Sequence, residues 1–186
     1  MRIVAGRFKG RALTSPQGAA TRPTSDRARA AVFNMLEHSP WRRPLAGARV
    51  IDLFAGTGAL GLEALSRGAA LALFVETAPA AVAALRANIA ALGAPDAARV
   101  LARDAVRLGA NAEAGFDLAF LDPPYRKGLV EQALTGLLAG GWLAPDAIVV
   151  AEQGADEPAL TPDGFELLDN RRYGAARVTI LRRAPI

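Results

Sequence analysis

The sequence predicts an α/β fold built on a mostly parallel, doubly wound sheet. The chain has 186 residues, which is long enough for one sizeable core. Its continuous apolar runs at 71–75 and 147–151 are typical of strands that are buried on both faces. From Arg49 onward, strand-like and helix-like segments alternate, and repeated βα units of this kind bring their strands together in parallel.

The individual elements follow from the apolar pattern. We expect strands at 49–54, 71–76, 98–103, 116–121 and 147–152, helices at 58–68, 79–92 and 128–139, and a short helical piece near 105–110. The tail differs, because two strand-like segments, 165–172 and 177–183, are joined by only four residues. We therefore predict a terminal hairpin that adds an antiparallel strand to the sheet.

The first 43 residues are predicted to form a basic arm in front of a main domain, 44–186. Within the arm we expect a short hairpin that turns at Lys9-Gly10, a mobile linker over 14–24, and a helix from Ser25 or Asp26 to about Glu37. The arm carries nine basic and two acidic residues, whereas the rest of the chain carries 13 basic and 16 acidic residues. This asymmetry indicates a polyanionic partner for the arm, with a merely solvated arginine-rich surface as the alternative.

The composition argues against several kinds of chemistry. The chain contains no cysteine, which removes disulfides and thiol catalysis, and its single histidine, His38, argues against a Ser-His-Asp triad or a histidine-rich metal site. We expect no metal. The first residues lack the apolar region of a signal peptide, and no apolar run reaches membrane-spanning length without a charge or a proline. The expected location is the cytoplasm.

A glycine-rich loop lies at the first strand-to-helix turn. Gly56, Gly58 and Gly61 match the pattern G-x-G-x-x-G, and Glu76 ends the next strand, where a carboxylate can bind two ribose hydroxyls. The pattern predicts a nucleotide-type ligand but does not separate a dinucleotide from S-adenosylmethionine. Glycines that serve only close helix–strand packing are the alternative.

Two further carboxylates help to define the ligand. Asp52 directly precedes the glycine loop, where it would repel a pyrophosphate and would instead suit a cationic amino acid group. Asp104 follows the third strand and could accept a hydrogen bond from an adenine amino group, although a helix N-cap is an equally good interpretation. Asp52 therefore favours S-adenosylmethionine over a dinucleotide.

The sequence Asp122-Pro123-Pro124-Tyr125 follows an apolar strand-like run. An exocyclic amine on an aromatic ring is a poor nucleophile because its lone pair is delocalised, and the Asp122 carboxylate and the Pro123 carbonyl could accept its hydrogens. The prolines fix the backbone and donate no hydrogen bonds, while Tyr125 offers a face for stacking. The motif thus indicates chemistry on a flat amino-bearing group, with a simple proline turn as the alternative.

In this order, the motifs resemble those of class I S-adenosylmethionine-dependent methyltransferases that act on amino groups. The segments 1–11, 22–27 and 32–36 resemble more narrowly the RsmD-type 16S rRNA guanine-N2 methyltransferases, and the resemblance covers nearly the whole chain. It implies a Rossmann-like class I methyltransferase fold, with a seven-stranded sheet whose last strand is antiparallel. It also implies that one guanine of the small-subunit rRNA is methylated on its exocyclic nitrogen.

The resemblance implies a role for each candidate residue. S-adenosyl-L-methionine would be held by the residues Asp52, Phe54, Gly56, Gly58, Glu76 and Asp104, with Thr24 as a weaker contact. The target base would be held by Asp122, Pro123, Pro124 and Tyr125. For binding of the 16S rRNA, in a small subunit or an assembly intermediate, the charge pattern offers Arg2, Arg7, Lys9, Arg11, Arg22, Arg27, Arg126 and Lys127. For Arg126 and Lys127, which directly follow the motif, solvated side chains are an equally good interpretation.

Other functions remain open at this stage. Within methyltransferases, the alternatives are adenine-N6 transfer to nucleic acid and glutamine-N5 transfer to a protein, although the latter is usually associated with Asn at the position of Asp122. A nicotinamide-dependent oxidoreductase would explain the glycines but leaves the Asp122 motif without a role. An RNA-binding protein without activity would explain only the basic arm.

Overall fold

A computed structural model describes residues 1–16, 26–160 and 162–185 of the chain. Its helices are α1 (Asp26–His38), α2 (Ala59–Ser66), α3 (Pro79–Ala91) and α4 (Leu129–Ala139), with a short 3₁₀ turn at Pro95–Ala97. Its strands are β1 (Arg49–Leu53), β2 (Leu71–Val75), β3 (Ala98–Leu101), β4 (Phe116–Leu121), β5 (Leu143–Gly154), β6 (Phe165–Tyr173) and β7 (Ala176–Arg183).

The seven strands form one sheet in the order β3-β2-β1-β4-β5-β7-β6. Strands β1 to β5 pair in parallel, whereas β7 pairs antiparallel with both β5 and β6. The predicted doubly wound fold with an antiparallel last strand is therefore confirmed. The strand order reverses between β1 and β4, and ligands of such sheets bind in the crevice beyond the carboxyl ends of the strands at this point.

The sheet separates two apolar cores. Helices α1, α2 and α3 pack on one face, against side chains that include Val50 of β1 and Phe120 of β4. Helix α4 packs on the other face, against Ile51 and Leu121, the neighbours of those residues in the same strands. Successive side chains of a strand point to opposite faces, so each strand contributes to both cores. This arrangement explains why the central strands β1, β2 and β4 are almost continuously apolar.

The N-terminal arm packs into the first of these cores. Ile3, Leu13 and Phe33 are buried in the same cluster as residues of β1 and α2. Residues 2–12 fold back on themselves as predicted, but with a single antiparallel bridge, between Arg2 and Ala12. The arm therefore lies on the main domain as a packed layer, and the boundary at residue 43 stays a prediction.

Polar groups of α2 fix the position of the arm. The buried Glu63 carboxylate accepts hydrogen bonds from the backbone of Val4 (2.8 Å) and Ala5 (3.0 Å) and from Arg67 Nε (2.9 Å), and it lies 3.6 Å from Arg29 Nε. Both Glu63 and Arg29 are 0% exposed. Since a buried charge is costly unless it is paired, this network holds the arm, α1 and α2 together.

A second anchor connects the arm to the glycine loop. The Asn88 side chain of α3 donates to the carbonyl of Thr14 (3.1 Å) and to the carbonyl of Thr57 (3.0 Å), and its oxygen accepts from the Thr14 backbone (2.8 Å). Asn88 is 2% exposed, so its amide replaces water as the partner of these backbone groups. The end of the hairpin is thereby held beside the loop.

Two expectations about individual elements differ from the structure, and a third lies mostly outside the described residues. Residues 105–110 form a turn and not a helical piece, because the Asp104 side chain accepts the Val106 backbone (3.1 Å) and Gly109 has φ +75°. Strand β5 begins at Leu143 instead of 147, continuing through Asp146 at φ +55°. Most of the predicted mobile linker falls on 17–25, outside the described residues. Among the described helices, none is long and apolar enough to cross a membrane.

Candidate active site

The three glycines of the loop have different physical roles. Gly56 has φ +55°, and a Cβ atom added there would meet nothing within 4 Å, so its backbone faces open space. At Gly58 and Gly61 a Cβ would lie 2.4 Å from Leu85 Cδ1 and 2.3 Å from Phe74 Cε1. Gly56 is thus the position where a ligand can approach the backbone, while the other two allow α2 to pack closely.

Glu76 lies directly beside this open position. One of its carboxylate oxygens accepts the Gly56 backbone (2.8 Å), and the other accepts the backbones of Thr77 (2.7 Å) and Ala78 (2.8 Å). A carboxylate can accept about four hydrogen bonds, so capacity for a further donor remains. The side chain is partly buried at the end of β2, where the sequence predicted it.

Asp52 is buried beneath the loop, with 2% exposure, and accepts the Gly61 backbone at 2.9 Å. Its pKa is raised well above the ordinary value of 3.8, chiefly by burial; the Gly61 hydrogen bond lowers the pKa, and the charges of Asp122 and Glu76 raise it. The carboxylates of Asp52, Glu76 and Asp122 are therefore close enough to influence one another beside the glycine loop. The described part of the chain holds no group of acidic or histidine side chains that could hold a metal ion.

We expect Asp52→Asn to make the protein more stable near pH 7 while weakening cofactor binding. Between the ordinary pKa and the raised one, the folded state binds more protons at Asp52 than the unfolded state does, so stability falls as pH rises through that interval. Asparagine has no ionisable group, so its stability does not depend on pH in this way, and its side-chain oxygen can still accept the hydrogen bond from the Gly61 backbone. Denaturant unfolding should show the gain near pH 7 and its loss near pH 4; an equal gain at both values would contradict the assignment.

The remaining predicted cofactor residues lie on neighbouring strand ends. Asp104 follows β3 by three residues, its side chain is 48% exposed, and it lies 3.9 Å from Arg107 Nε. Phe54 follows β1, is partly buried and has φ +58°, an uncommon conformation for a residue with a side chain. Thr24 lies outside the described residues.

The Asp122 motif lies next to the glycine loop. Leu53 of β1 is paired with Leu121 of β4 in parallel register, so Phe54 and Asp122 follow adjacent residues at the same edge of the sheet. In the motif Pro123 is buried, Asp122 and Tyr125 are partly buried, and Pro124 is exposed. The structure therefore places both predicted halves of the site at the switch point between β1 and β4.

Strand β5 supports Tyr125 through two residues that sequence reasoning missed. The Tyr125 hydroxyl donates a hydrogen bond to the Glu152 carboxylate. A Cβ at Gly154 would lie 3.3 Å from Tyr125 Cδ2, so this glycine leaves space for the ring. Only the register between β4 and β5 brings these residues to the motif, and no local sequence pattern reveals it.

The two basic residues after the motif differ in their contacts. Arg126 lies 2.5 Å from Asp156, and this hydrogen bond raises the pKa of Arg126 and lowers that of Asp156. Lys127 is exposed and lines a shallow depression formed with Tyr125 and Glu152. Both side chains are on the same edge of the sheet as the motif.

Most of the predicted RNA-binding residues of the arm are on the surface. Arg2, Arg7, Lys9, Arg11 and Arg27 are exposed. Arg2 lies 3.6 Å from Asp26, and Arg11 donates to the carbonyl of Ala91 at 2.5 Å. Arg22 lies outside the described residues.

The arm presents less positive charge than its composition suggests. Arg29, one of its nine basic residues, is fully buried between Asp26 and Glu63. Arg43 is paired with Asp117 on the main domain. These two arginines neutralise carboxylates within the fold, so the surface charge of the arm comes mainly from the hairpin.

The fold and the site together define a class I S-adenosylmethionine-dependent methyltransferase. The family model described as "Conserved hypothetical protein 95" matches residues 1–182. The chain belongs to this family, the RsmD family. The predicted family, fold class, cofactor and enzyme class, an rRNA methyltransferase, are confirmed.

The similarity extends over most of the chain in both sequence and structure. The chain is 40% identical over 153 residues to ribosomal RNA small subunit methyltransferase D of Escherichia coli K12, and the match covers 82% of this chain and 74% of that protein. For the protein of that name from Haemophilus influenzae, identity is 35%, with 94% and 89% covered. A solved structure of a candidate methyltransferase from Escherichia coli superposes with a TM-score of 0.85 at 35% identity, covering 99% of this chain and 98% of that one.

Proposed function

We propose that the protein methylates the exocyclic N2 of one guanine in 16S rRNA, within the small subunit or an assembly intermediate in the cytoplasm. The observation that carries this proposal is the pairing of Leu53 with Leu121, which sets the glycine loop beside the Asp122 motif. A cofactor at the first and an amine at the second would meet at the switch point. The relatives named as small-subunit rRNA methyltransferases support the substrate.

The residues around the loop fit the cofactor. The open space at Gly56 admits a ligand to the backbone, and the remaining acceptor capacity of Glu76 suits the ribose hydroxyls. A cation above the loop would favour the ionised form of the buried Asp52 carboxyl, so this residue suits the cationic amino acid end of the cofactor. Asp104 is exposed enough to accept the adenine amine. When bound, S-adenosylmethionine supplies an electrophilic methyl group.

The Asp122 motif would hold the target guanine. Extruding the base from its stack costs on the order of a few kcal/mol, and stacking on the Tyr125 ring returns about 1–3 kcal/mol. The hydrogen bond to Glu152 fixes the phenol end of the ring, so the stacking face is oriented before the base arrives. Tyr125 is therefore proposed as a holder of the base.

Asp122 and the Pro123 carbonyl would accept the two hydrogens of the guanine amine. These hydrogen bonds aim the nitrogen lone pair toward the cofactor side of the site. Positioning of two bound reactants can lower a barrier by roughly 7–11 kcal/mol, so no strong base is needed before attack. After transfer the nitrogen is acidic, and Asp122 or water takes its proton.

The exposed hairpin of the arm would bind rRNA phosphates. We expect replacing Arg7 and Arg11 together with alanine to weaken rRNA binding and to make its salt dependence shallower, by about one unit of slope per lost phosphate contact. Binding titrations at several salt concentrations measure both effects. An unchanged slope would assign these side chains to a merely solvated surface.

The direct test of the function is to map the methylated nucleotide. The purified enzyme is incubated with S-adenosylmethionine and with unmethylated small-subunit particles at several assembly stages, and the product nucleoside is identified. We expect N2-methylguanosine at one position. N6-methyladenosine, or methylation of a protein glutamine, would replace this proposal with one of the alternatives.

A further inference from the structure

The terminal hairpin, β6 with β7, reaches the same edge of the sheet as the active site. Gly154, the last residue of β5, is paired with Ala176, the first residue of β7. The turn that joins β6 to β7 therefore lies beyond the carboxyl end of β5, close to the ring of Tyr125, which contacts the Gly154 position. This hairpin has no part in the site described so far.

Two arginines face each other across this hairpin. Arg172 of β6 and Arg177 of β7 are direct cross-strand partners, one pair away from the turn. Like charges directly opposite each other in an antiparallel pair are destabilising. Within the described residues neither guanidinium forms an ion pair with a carboxylate, whereas Arg171 and Arg182 of the same hairpin each do.

The two side chains also converge on one point. Arg172 Nη2 and Arg177 Nη2 each donate to the same carbonyl oxygen, that of Ala155, at 3.1 Å. Arg177 Nε is buried and has no hydrogen-bond partner. The Ala155 carbonyl is neutral and does not balance the charge of the two guanidinium groups. The region therefore keeps a local positive charge that an anion would balance.

An acidic side chain close to this pair is engaged elsewhere. Asp156, next to Ala155, is hydrogen-bonded to Arg126, which is the main reason its pKa is lowered; the charge of Arg172 makes a smaller contribution. Arg172 is thus near Asp156 without being paired to it. The Arg172–Arg177 pair remains available to an external anion beside the Asp122 motif.

We propose that Arg172 and Arg177 together bind one backbone phosphate of the RNA segment next to the target guanine. The inference rests on the proposed function, because it takes RNA as the substrate. A guanidinium presents a planar fork of donors that matches phosphate oxygens, and two of them can hold a single phosphate from two sides. The terminal hairpin and the N-terminal arm then contact the RNA at separate places.

The test compares matched variants of one hairpin. In the double variant Arg172→Gln with Arg177→Gln, we expect affinity for protein-free unmethylated 16S rRNA to fall about tenfold and the salt slope to decrease by about one unit. Arg182→Gln is the control, since Arg182 is on β7 at the opposite edge of the sheet and is paired with Glu166. Both variants should be folded at the assay temperature, as thermal unfolding measures, and their S-adenosylmethionine affinity should match that of the wild type.

A charge-preserving variant separates the phosphate role from a structural one. Arg177→Lys should keep the salt slope, because the positive charge remains, while losing part of the affinity with the fork geometry. If the Arg177 side chain only supports the turn, the salt slope of Arg177→Lys should not differ from that of the double glutamine variant. A double glutamine variant that binds rRNA like Arg182→Gln would overturn the proposal.

Two outcomes separate this site from the proposed function itself. Wild-type protein that binds rRNA but forms no N2-methylguanosine would contradict the proposed function, while the binding comparison would still decide the phosphate site. A defect seen with ribosomal particles but not with protein-free rRNA would assign the arginine pair to a carboxylate of a ribosomal protein. That result would also overturn the RNA-phosphate assignment.

Discussion

Asp122→Ala is expected to abolish methyl transfer while leaving S-adenosylmethionine binding nearly unchanged. The variant removes the carboxylate that accepts the amine hydrogens and that can take the proton after transfer, and positioned proton-transfer groups of this kind contribute about 10²–10⁴-fold in rate. The cofactor side of the site, Gly56 and Glu76, is left intact. Transfer of a labelled methyl group to rRNA measures the first effect, and calorimetric titration with the cofactor measures the second.

Asp122→Asn is the matched control for this variant. Asparagine keeps a carbonyl acceptor at the same place but loses the charge, so its activity should lie between those of the wild type and the alanine variant. Both changes remove one of the charges that raise the pKa of the buried Asp52, so the repulsion between these two carboxylates is relieved. An alanine variant that methylates rRNA at a near-wild-type rate would show that the assigned role is wrong.

Glu63→Ala is expected to destabilise the protein by about 3–5 kcal/mol, the usual cost of removing one partner of a buried ion pair. Glu63 accepts the backbones of Val4 and Ala5 and neutralises Arg29 and Arg67, so its loss leaves buried donors and charge without their acceptor. Urea unfolding measures the change in free energy. Hydrogen exchange should also show loss of protection at the Val4 and Ala5 amides before the rest of the fold opens.

Glu113→Ala is a suitable control for the Glu63 variant. Glu113 also contacts two arginines, Arg49 and Arg99, but its side chain is 55% exposed, and surface ion pairs contribute about 0–1 kcal/mol. If both variants lost the same stability, the buried network would not be what fixes the arm.

The sequence predicts the central part of this fold well because its strands lie between two cores. Runs such as 148–151 are buried on both faces, so their apolar character depends little on their partners. The turn at 105–110 was mispredicted because a helical apolar pattern competes there with the Asp104 side chain, which caps a turn, and with Gly109. Local polar contacts of this kind override a weak periodicity.

The candidate site also contains residues that the sequence reveals and residues that only the structure reveals. Contiguous motifs, the glycine loop and the residues 122–125, can be found from residue types and spacing alone. Glu152 and Gly154 become visible only when strand register is known, because each depends on which residues of different strands lie opposite each other. The predicted hairpin already places Arg172 opposite Arg177, but their convergence on the Ala155 carbonyl depends on the pairing of β5 with β7. Arg29 illustrates the reverse error, since a positive charge counted toward the arm is buried against Glu63.

The position of β7 has a consequence for how the chain is made. Strand β7 fills the place between β5 and β6, so until residues 176–183 have left the ribosome the long apolar strand β5 has no partner on one side. An open apolar strand edge readily pairs with other chains. The nascent protein therefore carries an aggregation-prone edge from the time β5 has emerged until β7 pairs with it.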